Sequence, residues 1–252
     1  MQGTLDSFIS SKKQLTGPVF TSQEIRDRGS LFVANIYHAT TPQEAKARVE
    51  QMKRVVHSAK PAAHEISAWR CMVLKPGKSG LNGPEDFELQ AGSRDDGESW
   101  AGAKVLAVME RLSILDAVVI VSRWWGGTLL GPARFTHIET CALEVCRLFK
   151  DKEELAELQA LLESLDDLLA DLRQEYGLLS KLPSTEPSTP TSSQIDSAST
   201  VRKKSNYSGM DAQKLKRLIR AREGSITSVK ALIAKRQKQL PEEQEDEQTP
   251  PQ

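Results

Sequence analysis

At 252 residues and 27.9 kDa the chain has room for one ordinary domain with extensions, or for two small ones. Lys and Arg number 34 and so do Asp and Glu, which excludes attraction of the whole chain to nucleic acid or anionic lipid; any such attraction must be local. No apolar run approaches the ~20 residues of a membrane-spanning helix and the N-terminus lacks a secretion signal. The three thiols, Cys71, Cys141 and Cys146, have neither scaffold nor zinc-ligand spacing, so the expectation is a cytoplasmic chain without membrane, metal or cofactor.

In chain order, residues 1–16 read as a flexible N-terminal peptide and residues 17–150 as an α+β core. Strands are predicted at Val19–Arg26 and Leu31–His38, where Phe32, Ala34 and Ile36 alternate with their neighbours and Arg28-Gly29-Ser30 supplies the turn. Thr41-Pro42 opens a helix running to His57, with Ala45, Val49, Met52 and Val56 at helical spacing. Glu65–Leu74 reads as a strand, Trp100–Leu112 as a helix, and Ala117–Trp124 as a buried β-branched strand. A helix follows Gly131-Pro132, so the expected core is a sheet with helices packed on one face.

Beyond the core the charge separates into blocks. Residues 151–181 carry nine acids against three bases, whereas residues 200–240 carry twelve Lys and Arg against Asp211 and Glu223. Between them residues 182–207 are rich in Ser, Thr and Pro and read as a disordered linker; residues 241–252 read as an acidic tail. Leu155, Leu158, Leu162, Leu165, Leu169, Leu172, Tyr176 and Leu179 step by threes and fours, the pattern of a coiled-coil seam. Leu215, Ile219, Ile226, Val229, Ile233 and Leu240 repeat the stepping in a basic helix at 208–240, with Arg222 and Arg236 at the two remaining seam positions. Opposite charge predicts an antiparallel intrachain coiled-coil hairpin first, and a homodimer through the leucine seam second.

Three groups in the core bear chemistry. Asp95, Asp96 and Glu98 lie in an acidic turn before a helix, where carboxylates cap backbone amides; the sharper alternative is a hard-cation site, which would suit a small metal-dependent hydrolase. Arg123-Trp124-Trp125-Gly126-Gly127 runs from a strand end toward Arg134 at a helix start. Glycines there can expose amides to an anion, and one of two adjacent tryptophans must point away from the other. An exposed Trp between Arg123 and Arg134 suits a protein surface, a phosphate or a nucleobase. His64, with Trp69-Arg70 on the following strand, reads as structural.

These residues carry a family resemblance. Ala63-His64, Ala68-Trp69-Arg70, Asp95-Asp96-Gly97-Glu98 and the run from Val121 to Ile138, with Trp124-Trp125-Gly126-Gly127 at its head, resemble the Impact family in its eukaryotic branch, over about residues 19–149. The resemblance implies a fold like the second domain of ribosomal protein S5, a four-stranded sheet packed by helices. It also implies a non-enzymatic role in translational control during amino-acid starvation, by competing for the activator of the kinase that phosphorylates initiation factor 2, and a link to actin. Eukaryotic members carry an N-terminal RWD domain that supplies much of the activator contact; here only about 18 residues precede the core. Arg123, Trp124, Trp125, Gly126, Gly127 and Arg134, together with His64, Arg70, Asp95, Asp96 and Glu98, are therefore the expected protein-recognition surface.

A second resemblance lies in Gln2, Leu5, Phe8 and Ile9, spaced as in the sliding-clamp peptide of DNA replication proteins, with Ile9 where an aromatic is usual. It implies a replication clamp as partner and a nuclear location besides the cytoplasm. A nucleic-acid or ribosome-associated role, through the basic 208–240 helix, is the alternative to protein recognition.

Overall fold

The computed structural model describes residues 17–181 and 206–239. The clamp-like peptide with Gln2, Leu5, Phe8 and Ile9, most of the Ser/Thr/Pro segment, Leu240 and the acidic tail lie outside the described residues. The chain divides into two compact units, Met1–Lys152 and Glu153–Gln252.

In the first unit the elements are β1 (Phe20–Thr21), β2 (Ile25–Asp27), β3 (Ser30–His38), α1 (Pro42–Gln51), β4 (His64–Leu74), β5 (Phe87–Arg94), α2 (Ala101–Arg111), β6 (Ala117–Trp124) and the start of α3 (Ala133–Ser180). The sheet is antiparallel throughout, ordered β1-β3-β6-β4-β5, with β2 also on β3. It thus has six strands rather than the expected four. The four long ones form its body, and the expected Val19–Arg26 strand is two short pieces. Between them Ser22 turns its hydroxyl to the Gln23 carbonyl and accepts the Ala34 amide.

Helices cover both faces of the sheet, not one. Strand β6 dictates this, because every residue from Ala117 to Arg123 is buried and successive side chains point to opposite sides. Ala117, Val119 and Val121 join Phe32, Ala34, Ile36, Ile66 and Ala68 beneath α2 and α3, with Val105, Met109, Ile138 and Val145. Val118 and Ile120 face the other way and pack with Tyr37, Ala45, Val49 and Met52 of the α1 side.

Helix α1 starts as expected: Thr41 accepts the Glu44 amide and Pro42 fills the first turn. It does not run unbroken to His57, because Met52–Val56 form a π-helical turn. Strand β5 has no counterpart in the sequence reading. It is an edge strand with no buried residue, so it lacks the alternation that burial on one face imposes. Gly92 marks the strand's tightest contact, since a Cβ there would stand 2.5 Å from Cζ2 of Trp69 on β4.

The second unit holds the remainder of α3 and helix α4 (Ala212–Gln237), capped by Asp211, whose carboxylate accepts the Lys214 amide. Leu162, Leu215, Ile219 and Tyr207 are buried together, with Leu155, Leu158 and Leu165 packed against them. The two helices run parallel, which corrects the antiparallel expectation. Lys216 pairs with Glu154 at 2.6 Å, Arg222 with Asp166, and Arg236 donates to the Leu179 carbonyl at 3.2 Å, so later residues of α4 meet later residues of α3. The last contact spans 57 positions, and adding 57 to each α3 seam residue from Leu158 to Leu179 lands on an α4 seam residue. Like positions therefore face like positions, as parallel packing requires.

Neither block charge nor seam spacing sets this direction: attraction between opposite charges carries none, and the same seam residues also match in antiparallel register. The 24 residues between Lys181 and Asn206 can span up to about 80 Å when extended, well beyond the roughly 40 Å length of the helix to be retraced. Both seam arginines find partners on α3.

Candidate functional site

One end of the sheet gathers most of the residues singled out above. Strands β3 and β4 begin there and β5 and β6 end there, as the pairings Leu31 with Trp124, His64 with Arg123 and Ser67 with Arg94 show. The π-helical turn leads into the same end, and Arg28, Asp96 and Trp100 adopt positive φ of 46°, 50° and 73° in the loops that border it. Backbone held in such unfavourable conformations is maintained by its surroundings.

The acidic turn supplies those surroundings. Asp95 accepts the Trp100 and Gly102 amides at 2.9 and 2.8 Å, fastening the first turn of α2. Asp96 receives Lys53 Nζ at 2.6 Å and the Glu65 amide at 2.7 Å, while its carbonyl meets His64 Nδ1 at 2.9 Å. Burial pushes the Asp96 carboxyl up, but the Lys53 ammonium and the Glu65 amide outweigh it and hold the group below its ordinary value. Glu98, only 5% exposed, pairs with Arg123 through one oxygen and with Arg134 Nε at 2.5 Å through the other; His64 Nε2 lies 3.7 Å away. The three carboxylates thus diverge to three different partners and do not converge on a cation. Among the described residues no group of three His, Cys, Asp or Glu side chains is arranged to hold a metal.

Alternation along β6 places a second cluster on the opposite face. Arg123 projects toward α2 and α3, its guanidinium carbon 5.4 Å from the Phe32 ring centre. Ser122 projects toward α1 and donates to Glu65 at 2.5 Å; Glu65, 3% exposed, also holds His57 Nδ1 at 2.6 Å. The His57 ring meets the Trp124 indole edge-on at 4.8 Å, and Trp124 Nε1 donates to the Lys60 carbonyl at 3.0 Å. Lys53, His57, Glu65 and Ser122 were not singled out from the sequence. The available signal was a carboxylate and a hydroxyl inside otherwise apolar strands, positions that demand a buried partner.

The adjacent tryptophans do separate: Trp124 is half-buried against His57, while Trp125 is 58% exposed. Beside them lies a cleft of about 520 Å³ lined by Arg26, Leu31, Lys60, Pro61, Trp124 and Trp125. Gly126 follows the second of these indoles. A Cβ there would fall 1.9 Å from the Gly29 carbonyl carbon, so only glycine lets the two backbones meet. Its amide donates to Ser30 Oγ at 3.2 Å, and Arg134 spans the loop to the Gly131 carbonyl at 2.7 Å. The Gly126 amide is therefore spent on Ser30, and Gly127 is left exposed at φ 85°.

This arrangement divides the expected recognition surface. Trp125 and one edge of Trp124 face solvent. Arg123 and Glu98 are buried and cannot touch a partner directly, and Arg70 is turned under α2, donating to the carbonyls of Met109 and Ile114 at 3.4 and 3.1 Å. The buried thiols are poor nucleophiles, since burial pushes Cys71 and Cys141 up to about 11 and Cys146 to about 12.

Fold and site together define an α+β domain whose charged clasp holds the loops at one sheet end beside an indole-lined cleft. Residues 28–146 match the Impact N-terminal domain, so this part of the chain is an Impact-family domain. The chain is 35% identical over 150 residues to Protein IMPACT of Mus musculus, covering 56% of this chain and 42% of that protein. It is 35% identical over 123 residues to the Protein IMPACT homolog of Saccharomyces cerevisiae, covering 49% and 43%. The chain thus spans less than half the length of these relatives. Among solved structures, the two-domain translational regulator Yih1 is 34% identical with a TM-score of 0.33, covering 50% of this chain and 44% of that one. A hypothetical protein is 27% identical with a TM-score of 0.40, covering 52% and 59%. Among the described residues no helix is long and apolar enough to cross a membrane.

Proposed function

We propose that the chain is a non-enzymatic interaction protein acting in translational control, with Trp125 and the cleft beside it as the docking face of its Impact-type domain. The observation that carries the reading is the Impact N-terminal domain match over 28–146, in a domain whose ionisable cluster is spent on internal pairs while Trp125 stays at the surface. Large aromatic side chains flanked by cations, here Arg26 and Lys60, are the usual anchors of protein interfaces. Asp95, Asp96, Glu65 and Glu98 are each committed to backbone amides, cations or His57, which favours a structural over an acid–base role. In this reading the fold is of the ribosomal protein S5 domain 2 kind, and α3 and α4 form a two-stranded parallel coiled coil.

The partner class is the activator of the kinase that phosphorylates initiation factor 2, as the family resemblance implies. The test is expression of the full chain in amino-acid-starved cells beside Trp125→Ala. A fall in phosphorylated initiation factor 2 with the full chain, reversed by W125A, and direct binding of purified activator to the former only, are expected. Unchanged phosphorylation together with no binding to purified activator refutes the reading.

A further inference from the structure

Helix α4 and its C-cap residue Lys238 carry nine Lys and Arg and a single acid, Glu223. Packing against α3 engages three of the nine: Lys216 on Glu154, Arg222 on Asp166 and Arg236 on the Leu179 carbonyl. The other six, Lys214, Arg217, Arg220, Lys230, Lys235 and Lys238, are exposed and make no ion pair among the described residues.

The buried positions Leu215, Ile219, Ile226 and Ile233 fix which side of α4 meets α3. At about 100° per residue, Arg217, Arg220, Lys235 and Lys238 fall within a sector of roughly 60° directly opposite that seam. They extend over about 32 Å of helix. Between them on the same face stand Gly224, Thr227, Ser228 and Ala231, all exposed, with no acid and no large apolar side chain. The acids of α3 lie across the seam, so the pair of helices is basic on one side only.

This composition selects among partners. An apolar protein groove would find nothing to bury on this face, and a membrane-surface helix needs an apolar stripe opposite its basic one, whereas here the apolar stripe is already spent on α3. Two pairs of cations on one straight face, separated by small residues that allow close approach, suit a regular polyanion. We infer that the outward face of α4, centred on Arg217, Arg220, Lys235 and Lys238, binds the phosphodiester backbone of nucleic acid without reading its sequence. The inference does not rest on the docking role of Trp125.

The test is fluorescence anisotropy of the full chain with short duplex RNA, duplex DNA and single-stranded RNA, from about 50 to 200 mM salt. Four neutralised phosphates should weaken duplex binding on the order of 100-fold across that range. The variant R217Q/R220Q/K235Q/K238Q should lose binding at low salt, with helicity unchanged by circular dichroism because none of the four touches the seam. Lys230→Gln, on the flank, should bind as the parent does. The relative strength of the RNA and DNA arms identifies the natural source of the phosphates. Absence of binding to all three probes at the lowest salt overturns the inference, as does an unchanged salt slope in the quadruple variant. Preferential binding of polyglutamate or of anionic phosphatidylserine vesicles overturns it as well, by making the occupant an acidic protein or a lipid surface.

Discussion

Removing the Glu98 carboxylate tests whether the sheet end is held by a charged clasp. Its side chain is 7% exposed and that of Arg123 6%, whereas Arg134 is 29% exposed and can turn to water. In Glu98→Ala the Arg123 guanidinium stays buried against Phe32 without a counter-charge, in the situation where breaking a buried pair costs about 3–5 kcal/mol. At about 2–4 °C per kcal/mol for a domain of this size, melting should fall by roughly 6–20 °C. Arg134→Ala leaves Glu98 with Arg123 and should cost about 1–2 kcal/mol. All four tryptophans, Trp69, Trp100, Trp124 and Trp125, lie in the first unit, so indole fluorescence follows its unfolding without interference from the second. A loss below about 1 kcal/mol for Glu98→Ala, or equal losses for the two variants, would refute the reasoning, because either result means that Arg123 does not depend on this carboxylate.

Gly92→Ala should destabilise the first unit by about 1–3 kcal/mol through the clash with Trp69, read by the same fluorescence, and Trp69→Leu should relieve it. In the second unit, burial pushes the Asp166 carboxyl up but the Tyr207 hydroxyl and Arg222 outweigh it, holding the group below its ordinary value of 3.8. Its stabilising share is complete above that value and is lost as pH falls through the lowered one, so helicity should drop below about pH 4 in the parent and not in Asp166→Asn. The parallel register predicts that cysteines placed by Leu172→Cys and Val229→Cys cross-link under mild oxidation, whereas Leu158→Cys with Ile233→Cys, a pair that only an antiparallel arrangement brings together, should not. Leu162→Ala should cost about 2–5 kcal/mol in the helicity melt of the second unit, because its side chain is fully buried between the helices.

The residues by themselves settled what local chemistry and periodicity can settle. The Thr41-Pro42 start of α1, the buried β-branched strand β6, the acidic capping turn and the apolar stripes of α3 and α4 follow from side-chain shape and spacing, which act within one or two turns of the chain. The opposite orientation of Trp124 and Trp125 was likewise legible, since neighbours on a strand must diverge. Tertiary structure alone decided which polar residues are surface and which are support. Arg123, Arg70 and Trp125 look equally available in sequence. The docking of the 95–98 turn on β6 buries the first, the C-terminal end of α2 covers the second, and only the third is left to solvent. The direction of α4 was undetermined for a related reason: charge attraction carries no direction and the seam steps fit either one, whereas the contacts of Lys216, Arg222 and Arg236 with successive points along α3, seen only once both are packed, show which way the helices run.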